Sequence, residues 1–193
     1  MKIKRKKQLP GYAALLIITL VAALALGATY TLTAERISQQ SVIASEKARA
    51  QVMTEAEAFE KIPSENDAIE EVYKAMKDSE VIGYVAKTTV NGYGGEIEII
   101  AGFDLDCAIT GISVGGSSFK ETPGLGAKSK EAAFTGQFLG KHAPIRIIKA
   151  GKTAGENDVD AIASATITSN AVAGGVNRIA EYISEISIEE EGA

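Results

Sequence analysis

"VIGYVAKTTVNGYGGEIEIIAGFD", residues 81–104, decides the fold. Two runs rich in β-branched residues, VIGYVAKTTV and GEIEIIAGFD, alternate in places and are divided by the turn signal NGYGG. A third run, CAITGISV at 107–114, follows, so the simplest reading is three antiparallel strands. Downstream come the loop SSFKETPGLGAK, a helix-like stretch KEAAFTGQFLGK, a strand PIRIIKA and a loop KTAGENDVD, and then a final helix from about Ser169 to Ile186. Strands followed by helices on one core predict an α+β domain with a mainly antiparallel sheet.

Upstream the pattern is helical. Residues 35 to about 60 contain no Gly or Pro and carry apolar residues at three- and four-residue spacing, which predicts a helical stalk. Pro63 interrupts it, and SENDAIEEVYKAMKD (64–78) is expected to restart a helix, with Ser64 as cap and Asp67 at the capping-box position. From Gln8 through Ala34 no charged residue occurs, and the stretch is mostly aliphatic. It is long enough for the roughly 20 residues that cross a hydrocarbon core of ~30 Å, with Tyr12 and Tyr30 near its ends. The leader MKIKRKK carries five cations, and so predicts a cytoplasmic N-terminus with everything after Ala34 on the outer face. The small residues of ALALGA leave a cleaved signal peptide as the alternative. The expected organisation is a basic leader (1–10), a transmembrane helix (11–34), a helical stalk (35–78) and an outer domain (79–193).

Composition excludes several function classes. A net charge of -5 argues against a nucleic-acid partner. The single Cys107 cannot form an internal disulfide and reads as a small buried hydrophobe. His142 stands without partners at metal-ligand spacing, so no metal site is expected and any redox chemistry calls for an organic cofactor.

Two stretches carry possible chemistry. In ETPGLGAK (121–128), Pro123 fixes one backbone angle, while Gly124 and Gly126 permit conformations or close approaches closed to other residues. Such a loop can press main-chain amides against a flat ligand, or it can be an ordinary tight turn. In DAIASATITSNAV (160–172), hydroxyls at Ser164, Thr166 and Thr168 precede a helix, whose unpaired N–H groups and dipole favour a phosphate. Helix capping by Ser164, Thr168 or Ser169 is the competing explanation.

GYGGEIEIIAGFD, ETPGLGAK and DAIASATITSNAV in this order resemble the FMN-binding domain of the Rnf complex G subunit and of its relative, the C subunit of the sodium-pumping NADH:quinone oxidoreductase. The resemblance covers roughly residues 81–180, and the shorter chain favours the Rnf type. In that family the threonine of a motif like Asp-x-x-Ser/Thr-Gly-Ala-Thr bears FMN through a phosphoester bond, attached by a flavin transferase. Asp160, Ala165 and Thr166 match the pattern; Ala163 and Ser164 depart from it, Ser164 standing where the family has glycine. The resemblance therefore implies covalent FMN on Thr166, beside Ser164 and Ala165. Thr168 and Ser169 are expected to contact the phosphate, and Glu121, Thr122, Gly124, Leu125 and Gly126 the ring or ribityl chain. It also implies an electron-transfer subunit of a membrane-bound, ion-translocating ferredoxin:NAD oxidoreductase, with other membrane subunits as partners and no catalysis by this chain alone. The alternatives are the sodium-pumping quinone-reductase relative, a stand-alone anchored flavoprotein, and an anchored scaffold without a cofactor.

Overall fold

The structure, a computed structural model, describes residues 10–149, 151 and 155–191. The basic leader up to residue 9 and part of the 152–160 loop lie outside the described residues. Helix α1 runs Gly11–Val52, and its apolar first part is long enough for the roughly 20 residues that cross a hydrocarbon core. Its first part is aliphatic and exposed, with Leu15, Leu16, Ile18 and Leu24 uncovered by the protein, and it is the one described helix long and apolar enough to cross a membrane.

A compact unit begins at Ala44, within α1. Its sheet has five strands in chain order: β1 (Ala58–Ile62), β2 (Glu71–Lys77), β3 (Glu80–Asn91), β4 (Glu96–Asp104) and β5 (Ile109–Gly115), every neighbouring pair antiparallel. The three strands expected between residues 81 and 114 are β3–β5. Successive side chains of a strand point to opposite faces. On β4, Ile97, Ile99, Ala101 and Phe103 accordingly face the main core, while Ile100 faces the other side.

Both faces are covered. On the main side lies α3 (Thr166–Glu191), which buries Val172, Val176, Ile179 and Ile183 against β3 and β4. On the opposite side the end of α1 and the residue after it insert Ala48, Val52 and Met53 among Ala75, Val85 and Ile100. The Val52 carbonyl, an orphan acceptor at the helix end, receives the Thr110 hydroxyl at 2.7 Å. Burying Val52 alone contributes about 1.5–3 kcal/mol.

The expected helix at 64–78 does not form. Residues 63–70 are loop, and EVYKAMK is strand β2. Its composition is compatible with a helix, but pairing along both edges and burial of Val72 and Ala75 on opposite faces outweigh a weak local propensity. Ser64 caps no helix: its Oγ lies in a local turn, donating to the Asn66 carbonyl at 3.2 Å. The helical stalk likewise ends at Val52, and Ala58–Ile62 forms the edge strand β1, so the folded unit begins well before residue 79.

After β5 the chain forms a 3-10 turn (Gly126–Lys130), the short helix α2 (Ala132–Thr135) and a second 3-10 turn (Gly136–Phe138) in place of one regular helix. Strands β6 (Arg146–Ile148) and β7 (Asp158–Asp160) then pair in parallel and lead into α3. Asn177 of α3 anchors this region, accepting the Ile145 N–H at 2.7 Å and donating to the Ile145 carbonyl at 3.0 Å.

Candidate functional site

Two tight turns of the same kind frame the site. In the first, the Leu125 N–H donates to the Thr122 carbonyl at 3.1 Å; Pro123 takes the second position and Gly124, with φ 78°, the third. That is the signature of a type II turn. In the second, the Ala165 N–H donates to the Ile162 carbonyl at 3.0 Å and Ser164 occupies the third position with φ 61°. The backbone that favours glycine there carries a serine instead, at the residue where the resembled motif has glycine.

Directly after this second turn, Thr166 is the first residue of α3 and its side chain is exposed. The N–H groups of Thr166, Ile167 and Thr168 belong to the first turn of the helix, where no carbonyl four residues back is available in helical geometry. Ser169 closes the turn from within: it is fully buried, its Oγ accepts the Ile162 N–H at 3.0 Å and donates to the Ala165 carbonyl at 3.0 Å, and its own N–H donates to the same carbonyl. Asp160, at the end of β7, has its N–H held by Gln137 Oε1 at 2.8 Å.

Between the two turns opens a cleft of about 420 Å³ lined by Thr122, Leu125, Gly126, Ser164, Ala165, Thr166 and Thr168, with Glu121 at its floor. This falls within the ordinary size range of small-molecule and cofactor sites. The two candidate stretches, some 40 residues apart in the sequence, thus meet at one place. Of the ten residues expected at the site, eight line this cleft; Ser169 lies buried behind it and Gly124 shapes the turn. A second cleft of about 440 Å³ adjoins Thr166 and Ser164 and is lined by Ile147, Ile148, Lys149, Ile162 and Ala163.

Two expected contacts change character. Glu121 is expected to touch ring or ribityl groups, but its side chain is 6% exposed and both oxygens are engaged by the protein. Oε1 accepts the N–H groups of Tyr93 (2.7 Å) and Gly94 (3.0 Å), and Oε2 accepts the Thr168 hydroxyl (2.9 Å). The hydroxyls of Thr168 and Ser169 are therefore both committed inside the protein, which leaves main-chain N–H groups of the first helical turn as the donors for a phosphate. Gly126 permits this arrangement, since a Cβ there would overlap Glu121 Oε2 and lie 2.8 Å from Thr168 Oγ1.

Sequence reasoning missed Tyr93 and Ile167, both on the cleft wall. Tyr93 is 72% exposed and Ile167 59%, although each is largely apolar. An aromatic between glycines at a turn, and an isoleucine between two threonines, were the available signals. Cys107 is half-buried in the turn between β4 and β5, with φ 60°; burial, aided by the charges of Asp104 and Asp106, pushes its thiol above the usual value.

The arrangement fits FMN in three respects. An exposed hydroxyl stands at the N-terminus of a long helix, where N–H groups and dipole favour a phosphate. Beside it lies a cleft of cofactor size, with exposed apolar side chains on its wall for a flat ring.

The family description "FMN-binding domain" matches residues 92–181. The chain is 35% identical over 189 residues to the G subunit of the Na(+)-translocating ferredoxin:NAD(+) oxidoreductase complex of Acetobacterium woodii, covering 90% of each chain. It is 31% identical to the G subunit of the proton-translocating ferredoxin:NAD(+) oxidoreductase complex of Clostridium ljungdahlii, covering 88% of each. Among solved structures, the crystal structure of Shewanella oneidensis NqrC shares its fold, with a TM-score of 0.56 at 20% identity over 74% of each chain.

Proposed function

Because the chain belongs to the G-subunit family of ion-translocating ferredoxin:NAD(+) oxidoreductase complexes, we propose that it is the flavin-bearing electron carrier of such a complex, with FMN joined by a phosphoester to Thr166. The observation that carries this reading is the convergence of an exposed threonine hydroxyl, a helix N-terminus and an apolar-walled cleft. When bound, FMN supplies a ring that accepts electrons from one centre and gives them to another. Everything else falls to the chain. Thr166 tethers, the first-turn N–H groups of α3 donate to phosphate oxygens, and Lys149, which lines the adjoining cleft with Thr166, supplies positive charge to the anionic phosphodiester. Tyr93, Leu125 and Ile167 offer apolar contact to the ring and keep water from one side of it. The phosphoester joins at the end of the cofactor remote from its ring, so the electronic tuning is left to the residues around the ring.

A flavin transferase would attach the group, and α1 would hold the domain at the membrane beside the other subunits of the complex. The basic leader favours a cytoplasmic N-terminus and an outer-face domain, where a tether prevents loss of a diffusible cofactor.

The test is the intact mass of the chain from its native membrane, followed by fragmentation. The linkage adds the mass of FMN less one water, mapping to Thr166 and absent from Thr166→Ala. An unmodified native chain refutes the proposal, and a flavin mapped to the neighbouring Ser164 hydroxyl refutes its attachment point.

A further inference from the structure

We propose that Glu121 is a positioning residue of this site, a single carboxylate that locks the Tyr93 turn to the first turn of α3. The inference rests on the reading of the cleft as the FMN site. Its geometry is unusual for a carboxylate next to a ligand cleft. The group is buried, and it receives three donors, two from the β3–β4 turn and one from α3, elements 27 and 47 residues away along the chain. Gly92 and Gly126 both leave room for it, since a Cβ on either would overlap one of its oxygens.

What it joins are the two sides of the cleft. Tyr93 is mostly exposed, so its ring is held in place chiefly through its own backbone, whose N–H is bound to Oε1. Thr168 lies two residues beyond Thr166, and its hydroxyl is bound to Oε2. One side chain therefore ties the aromatic wall to the helical turn that carries the tethering hydroxyl, beyond what the packing of α3 on β3 and β4 fixes. A buried carboxylate holding three donors cannot release one side without leaving polar groups unpaired, and this makes the link stiff. The group acts through Tyr93 and Thr168, whose N–H and hydroxyl its two oxygens hold.

The test uses the full chain in detergent, with three variants. Thr168→Val, nearly isosteric, removes the donor on the helix side alone. Amide hydrogen exchange is read at Tyr93 and Gly94, which Thr168 does not touch, and is expected to quicken at least tenfold while β4 is unchanged. Glu121→Ala should loosen the same turn and the first turn of α3 together, and Glu121→Gln, which keeps an acceptor oxygen, should restore most of the protection. In flavin-loaded protein a phenol close to the ring quenches its fluorescence. Glu121→Ala should therefore brighten the flavin and Glu121→Gln should not. Unchanged exchange at Tyr93 and Gly94 in Thr168→Val overturns the proposal, as does flavin fluorescence insensitive to Glu121→Ala. A native chain that carries no flavin at all sinks the reading of the cleft instead, and the exchange measurement then decides the link by itself.

Discussion

Replacing Ser164 by glycine should stabilise the folded unit. Ser164 holds φ at 61°, a left-handed backbone that an L-residue with a Cβ enters at roughly 1–2 kcal/mol. Glycine removes that strain, but it also raises the entropy of the unfolded chain, which offsets about 0.4–1 kcal/mol. The side chain is exposed, so little packing is lost. The net expectation for Ser164→Gly is a gain of about 0.5–1 kcal/mol. For a unit of roughly 150 residues this raises Tm by about 1–4 °C. The assay is urea unfolding of the full chain in detergent, followed by circular dichroism, with the midpoint rising and the slope unchanged. Ser164→Ala serves as control, since it keeps the Cβ and hence the strain, and should give no gain. If Ser164→Gly unfolds at lower urea than the native chain, or if Ser164→Ala gains as much, then backbone strain at this turn is not what limits it.

The converse change, Gly126→Ala, should destabilise by about 2–4 kcal/mol, because the new Cβ displaces the Glu121 carboxylate and leaves buried donors unpaired; thermal unfolding measures it. Lys87 lies between Glu70 and Glu98 at 3.1 Å from each, and these groups predict a pH window. Burial would raise the Glu70 carboxyl, but hydrogen bonds from Thr89 and Lys87 outweigh it and hold it below its ordinary 4.5, so its contribution is present above that pH and is lost as pH falls. Burial would lower the Lys87 ammonium, but its two carboxylate partners hold it above its ordinary 10.5, so its contribution is present below that pH and is lost as pH rises. In Lys87→Met, unfolding midpoints followed from pH 3 to 7, an interval of about 4 units around the carboxylate range, should show a flattened acid limb.

The legible part of this protein was where local chemistry and tertiary context agree. Strands β3, β4 and β5 are rich in β-branched residues because the sheet is buried, on one face by α3 and on the other by the end of α1, and that enrichment is visible in the letters. The helix start at Thr166 was legible because a run of small and hydroxyl-bearing residues precedes an apolar helical stretch. Strand β2 was not legible, because Glu, Lys, Ala and Met suit a helix and only pairing with β1 and β3 makes them a strand. The internal bonds of Glu121 were not legible for another reason: only the fold brings Thr168 and the Tyr93 turn around its carboxylate. Tyr93 and Ile167 were missed because exposed apolar residues draw notice only when a cleft joins them.

The sheet is a meander whose strands pair in the order they are made, and the helix that seals it comes last. Early contacts are local, so the sheet can assemble as the chain emerges, with Ile97, Ile99 and Phe103 left uncovered until residues 172–183 arrive. The element that ends this exposure begins with Thr166. Maturation thereby acquires an order: the cleft comes into being only as the last apolar face is shielded, and a chain truncated before α3 would present both a sticky sheet and no place to seat a cofactor.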